Sequence, residues 1–127
     1  MQNLSHIATK HDIKLVVLFG SRARGGVHKH SDVDIAVYTE QELSAEAVSD
    51  IEQYAIDEFE IGSGCTDVVE LKDASPLLAY EITRRGKLLF GSQELFYMLT
   101  RQAWRQYLDT ARLRRARHER LKDELLT

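Results

Sequence analysis

Four short apolar segments, separated by helical patterns, constrain the fold of this chain most strongly. They are rich in β-branched, leucine and aromatic residues, a composition that is typical of strands. The segments occupy residues 14–19, 32–38, 65–71 and 87–90. The predicted order is helix, strand, strand, helix, strand, helix, strand and long helix. This order indicates an α+β architecture in which helices cover a mixed sheet.

Capping residues mark the helices between these strands. Ser75, Pro76 and Gly86 supply an N-cap, a first helical position and a stop for one short helix. Thr39, followed three residues later by Glu42, forms a capping box that predicts the start of another helix. Its buried face would carry Leu43, Ala47, Ile51, Tyr54 and Ala55. A further helix is predicted over residues 4–11, and a long one over residues 93–125.

The long C-terminal helix has two parts. Leu99, Ala103, Tyr107 and Ala111 form a ladder with a spacing of four residues, which predicts packing on the body. The apolar stripe then meets Arg114 and His118, so residues 112–120 are expected to leave the core. We therefore expect one domain over residues 1–127, with a catalytic core over 1–92 and a helical extension over 93–127.

Charge is distributed unevenly along the chain. Residues 1–94 carry 9 Lys and Arg against 16 Asp and Glu, whereas residues 95–127 carry 8 against 4. An acidic body with a basic end suggests that the two ends meet different partners, but the charge counts alone favour a solvated amphipathic helix. The broken apolar stripe favours a basic arm that docks on an acidic protein.

Two motifs near the first two strands carry the chemistry. Asp32 and Asp34 are two residues apart in a strand, so both carboxylates project from one face and repel each other unless a cation lies between them. Hard cations such as Mg²⁺ prefer such oxygen ligands together with substrate phosphates. Gly20 permits close backbone approach, and Ser21 opens a short helical stretch whose N–H groups attract phosphate oxygens. The spacing therefore suits a site for a metal and a triphosphate.

A third carboxylate would complete a two-metal centre. Asp67 lies at the start of the third predicted strand, where an adjacent strand could carry it to the same edge as the aspartate pair. Glu70 is the competing candidate, but its odd offset from Asp67 places it on the opposite face. We therefore prefer Asp67.

These residues resemble the polymerase-β nucleotidyltransferase superfamily, whose pattern is Gly-Ser, ten residues and Asp-x-Asp. Over residues 10–92 the chain is most similar to the minimal nucleotidyltransferase (MNT) proteins, which commonly act as antitoxins beside HEPN-domain RNase toxins. The resemblance implies a type VII-like antitoxin that transfers AMP from ATP to a tyrosine of the toxin. It also implies two Mg²⁺ ions held by Asp32, Asp34 and Asp67, and nucleotide binding by Gly20, Ser21 and Arg24.

Composition limits the classes of protein to which this chain can belong. No apolar run approaches the ~20 residues that cross a bilayer, the N-terminus lacks the order of a secretory signal, and Cys65 is the sole cysteine. We expect a cytoplasmic protein in a hetero-oligomer with its toxin, without membrane association or direct nucleic-acid binding. The alternatives are a non-enzymatic binding module of the same fold, a small-molecule nucleotidyltransferase, and nucleic-acid binding through the C-terminal arginines.

Overall fold

The computed structural model describes residues 3–24 and 32–126, and its strands form one mixed sheet. The strands are β1 (Leu15–Phe19), β2 (Val33–Tyr38), β3 (Thr66–Glu70) and β4 (Lys87–Gly91), in the spatial order β3-β2-β1-β4. β1 pairs antiparallel with both β2 and β4, whereas β2 and β3 are parallel. The predicted strands are confirmed to within one residue at each end.

Helices cover both faces of this sheet, as predicted. They are α1 (Leu4–Lys10), α2 (Ala45–Phe59), α3 (Pro76–Arg85) and α4 (Gln93–Leu126). α1 and α2 pack on one face, against strand residues such as Val16 and Ile35. α3 and α4 pack on the other face, against Leu15, Val17 and Ala36. No helix in the described part of the chain has the length and apolarity needed to span a bilayer.

The prediction for the start of α2 is wrong. Ser44, and not Thr39, caps this helix, and its hydroxyl accepts a hydrogen bond from Ala47 N at 3.1 Å. Thr39 is buried at the end of β2, where its hydroxyl donates to the backbone carbonyl of Gln41. Because that hydroxyl is used in the turn after the strand, the capping box does not form, and α2 begins at Ala45.

The boundaries of α3 are confirmed. Ser75 accepts a hydrogen bond from Leu78 N at 3.2 Å, and Pro76 is the first helical residue. Gly86 ends the helix with a negative φ, so its role is close packing and not a left-handed turn. A Cβ atom at Gly86 would overlap Ile82 O and Val17 Cγ1, which explains why no larger residue fits between α3 and β1.

The two parts predicted for α4 are also confirmed. Leu99 and Ala103 are buried and Tyr107 is half-buried, whereas residues 112–120 are exposed. Stacked side chains hold α4 on α3: the rings of Tyr80 and Tyr107 lie 4.3 Å apart with an interplanar angle of 14°. The guanidinium of Arg84 lies over Tyr80, and that of Arg114 lies over Tyr107 at 4.4 Å. We call these four side chains the aromatic column.

The aromatic column predicts which tyrosine of α4 stabilises the fold. Tyr107→Ala removes a stacked ring and the cation–π contact above it, so it should lower the free energy of unfolding by about 1–2 kcal/mol. Tyr97→Ala is the control, because Tyr97 is 57% exposed, and it should change stability by less than about 0.5 kcal/mol. Urea denaturation of both variants measures the difference. Equal stabilities would contradict a stabilising role for the column.

Candidate active site

Three aspartates meet where β2 and β3 begin. In the parallel register of these strands, Asp34 is the direct partner of Asp67, and on its other side it faces Phe19, the last residue of β1. Asp32 lies immediately before β2. The structure therefore brings Asp32, Asp34 and Asp67 to one edge of the sheet.

Strand alternation determines the face of the sheet from which these carboxylates project. Asp34 shares its face with Ala36, which packs under α3 and α4. Asp67 is exposed and Asp34 is only partly buried, so both carboxylates are accessible from that side. Glu70, the rival third carboxylate, accepts a hydrogen bond from Leu43 N at 2.8 Å on the α2 side of the sheet. It is Asp67, and not Glu70, that lies beside Asp34.

Gly20 connects β1 to the edge of the sheet that carries Asp32, Asp34 and Asp67, which we call the acidic edge. Its φ of 79° lies in the left-handed region, which glycine adopts at low cost. A Cβ atom at this position would overlap Asp34 Oδ2, so the glycine also keeps space free beside that carboxylate. This second role was not predicted, because the sequence does not show which side chain faces the turn.

The segment after Gly20 begins as predicted. Ser21 is exposed and opens a 3₁₀ helix, Ser21–Arg24. Within it, the guanidinium of Arg22 lies over the ring of Phe59, 5.9 Å from the centroid, so Arg22 contacts the end of α2. The backbone of Arg24 ends this helix, but its side chain lies outside the described part of the chain, as do residues 25–31 with His28, Lys29 and His30.

The electrostatics of the acidic edge favour a cation. Burial raises the pKa of Asp34 above its ordinary value, and the charges of Asp67 and then Asp32 raise this pKa further. All three causes disfavour the charged form of Asp34, because solvent does not fully compensate the negative charge at this edge. Within residues 3–24 and 32–126, no three acidic, His or Cys side chains are close enough together to hold a metal ion as a group. The oxygen donors and the space beside Gly20 nevertheless match the chemistry of Mg²⁺.

The mixed sheet presents a Gly-Ser turn beside strand carboxylates, and the family comparison identifies the class of protein to which this arrangement belongs. Residues 2–95 match the family model described as "Polymerase beta, Nucleotidyltransferase". The chain therefore belongs to the polymerase beta nucleotidyltransferase family, which confirms the predicted superfamily. Membership implies a nucleotide substrate and, typically, a divalent metal. The match ends at the third residue of α4.

Two curated relatives are both named protein adenylyltransferase MntA. The chain is 34% identical to the protein from Shewanella oneidensis in an alignment of length 94 that covers 69% of this chain and 63% of the relative. It is 36% identical to the protein from Aphanizomenon flos-aquae in an alignment of length 88 that covers 61% of this chain and 57% of the relative. The chain thus spans about 63% and 57% of the lengths of these relatives.

Solved structures share the fold across nearly the whole chain. A crystal structure of a toxin–antitoxin with AMP-PNP aligns with a TM-score of 0.70 and 24% identity, over 95% of this chain and 94% of that one. A structure of tri-AMPylated Shewanella oneidensis HEPN toxin in complex with MNT antitoxin aligns with a TM-score of 0.61 and 23% identity, over 91% and 84%. At these identities the likeness establishes the fold, including the long C-terminal helix.

The raised pKa of Asp34 predicts how stability depends on pH when no metal is bound. A carboxyl whose folded-state pKa is raised favours folding at pH below its ordinary value of 3.8, and this contribution is lost as pH rises through the folded-state pKa. Asp34→Asn should therefore stabilise the metal-free protein at pH 7 and make no difference at pH 3. Solvent screening limits the gain to about a few tenths of a kcal/mol.

Thermal unfolding in a chelating buffer measures this effect at both pH values. Asp109→Asn, which changes an exposed aspartate on α4, is the control and should not reproduce the pH-dependent difference. A destabilised Asp34→Asn protein at pH 7 would contradict the electrostatic account of this edge.

Proposed function

We propose that this chain transfers AMP from ATP to a tyrosine hydroxyl of a HEPN toxin and thereby silences the toxin. The observation that carries the proposal is the pairing of Asp34 with Asp67 across parallel strands, with Gly20 against Asp34. The proposed reaction needs carboxylates beside a turn that a phosphate can approach closely, and this arrangement supports that requirement. Membership of the polymerase beta nucleotidyltransferase family supports the reaction type.

In this proposal the three aspartates are the catalytic and metal-binding residues. Asp32 and Asp34 would hold two Mg²⁺ ions, and Asp67 would share one of them. The ions would neutralise charge on the phosphate oxygens and on the departing pyrophosphate. The unequal exposure of the carboxylates suits different tasks, because Asp67 faces solvent, where an acceptor can approach, whereas Asp34 is partly buried.

Gly20, Ser21 and Arg24 would bind the nucleotide. Backbone at Gly20 can approach a phosphate closely, because it carries no side chain and adopts a positive φ. The exposed hydroxyl of Ser21 would donate a hydrogen bond to the β- or γ-phosphate. Arg24 would add a positive charge to the same group of phosphates. These contacts would orient the α-phosphorus toward the aspartates.

The reaction is an in-line displacement at phosphorus. The tyrosine oxygen of the acceptor forms a bond to the α-phosphorus of ATP, and its proton passes to the carboxylate of Asp67. The bond from the α-phosphorus to the bridging oxygen breaks, and pyrophosphate leaves with the electron pair. The products are an AMP-tyrosine diester, pyrophosphate and the protonated carboxyl of Asp67, which then releases its proton to solvent.

The relatives support the proposed acceptor. Both curated relatives are named protein adenylyltransferases, and one structural neighbour holds an AMPylated HEPN toxin. We propose a cytoplasmic hetero-oligomer in which this chain is the antitoxin and its HEPN toxin is the partner. The exposed basic residues 112–120 would assist docking on that partner.

Replacing two carboxylates tests this mechanism. The double variant Asp32→Asn/Asp34→Asn should lower the rate of AMP transfer by about a thousandfold or more, because the site loses charge stabilisation worth several kcal/mol. Intact-mass spectrometry of the HEPN partner, incubated with ATP and Mg²⁺, measures the transfer. Glu70→Gln is the matched control: it keeps an acceptor for Leu43 N, lies on the opposite face, and should label the partner at the wild-type rate.

The same samples distinguish modification from neutralisation by binding alone. If the double variant labels the partner as fast as the wild type, or if Glu70→Gln is equally impaired, the proposed mechanism is wrong. If the unlabelled toxin is still silenced by the double variant, tight binding is sufficient for neutralisation.

A further inference from the structure

A groove between α3 and α4 has no role in the nucleotide site. Its volume is about 430 Å³. The residues that line it include Tyr80, Thr83, Arg84, Phe96, Tyr97 and Trp104. Tyr97 and Trp104 are 57% and 47% exposed, so two large aromatic side chains leave about half of their surface in water. Exposed aromatic surface gathered around a groove is typical of a protein-binding site.

The groove opens on the same side of the sheet as the acidic edge. Its wall includes Gly86, which immediately precedes β4. Lys87 at the start of β4 is paired with Leu18, and Leu18 is paired with Ile35, the neighbour of Asp34. Two strand spacings of about 4.8 Å therefore separate this end of the groove from the start of β2, where Asp34 lies, and together they span about 10 Å. One folded partner can cover both.

Positive charge surrounds the groove. Arg84 lies in the last turn of α3, and Arg101 and Arg105 lie on the exposed surface of α4, one turn apart. Within the part of the chain that the structure describes, none of these three guanidinium groups forms an ion pair. Their charges are therefore available to carboxylates of a partner, whereas the acidic body would repel an acidic protein elsewhere.

We propose that this groove docks the acceptor protein. The groove takes a large apolar side chain of the partner, and carboxylates flank that side chain on the partner's surface. The inference rests on the proposed function and adds to it the surface that selects the acceptor. The aromatic walls supply apolar contact, the arginines match acidic neighbours, and the span of about 10 Å from Gly86 to the strand of Asp34 allows the docked protein to present its hydroxyl near the aspartates. The position of the groove beside the strand that carries Asp34 favours the acceptor protein, the toxin, as its occupant.

Two surface variants with the same chemical change test the proposal. Tyr97→Glu places a negative charge in the groove, whereas Leu77→Glu changes a residue of similar exposure, 50%, on α3 outside it. Steady-state AMP transfer to the cognate HEPN toxin gives kcat and KM for each variant, and calorimetry gives the affinity for ATP. Tyr97→Glu should raise the KM for the toxin about tenfold or more, with kcat and ATP affinity unchanged. Leu77→Glu should leave all three values at the wild-type level.

The outcomes separate this inference from the function on which it rests. Equal KM values for the two variants would overturn the groove as the docking site while AMP transfer stands. If the wild type binds the toxin without labelling it, the proposed function is wrong, and weaker toxin binding by Tyr97→Glu alone would still support the groove. Loss of self-association in Tyr97→Glu, with an unchanged KM, would assign the groove to a second copy and overturn the proposal. Tyr97→Ala replaces Tyr97→Glu, with a smaller rise in KM, should the charged variant unfold.

Discussion

The pairing of Asp34 with Asp67 is the constraint on which the site depends. Parallel register places two carboxylates side by side, and the charge of Asp32 adds to their repulsion. Like charges on neighbouring strands destabilise a sheet, so the fold accepts a cost at this edge. In the proposed function, a bound cation with a triphosphate would remove that cost, and local strain of this kind is common at functional sites. The arrangement is therefore better explained by ligand binding than by stability.

The two faces of the sheet have different roles. One face is covered by α1 and α2 and holds the larger group of buried residues, and on this face Glu70 accepts a hydrogen bond from the backbone N–H of Leu43. The other face carries Asp34, α3 and α4, so the proposed nucleotide site and the aromatic groove share one side. The aromatic column joins α3 to α4 and fixes the wall of that groove. Residues that stabilise α4 therefore also position the surface that we assign to acceptor docking.

Much of this organisation follows from local sequence signals, and the exceptions have physical causes. Strand alternation was sufficient to prefer Asp67 over Glu70, and Ser75 with Pro76 located α3. The start of α2 was misplaced because the hydroxyl of Thr39 bonds in the turn after β2, which no local pattern reveals. The contact of Gly20 with Asp34 and the groove depend on how distant segments pack. Periodicity and capping rules do not predict such tertiary contacts.

Paramagnetic NMR tests the central claim, that the aspartates at the β2–β3 edge form the metal–nucleotide site. Mn²⁺ in place of Mg²⁺, added with a non-hydrolysable ATP analogue, broadens amide signals close to the ion. The account predicts broadening at Gly20, Ile35 and Val68, and none at Asp50, which pairs with His11 on the opposite face. Broadening centred on Asp50, with sharp signals at Gly20 and Val68, would contradict it.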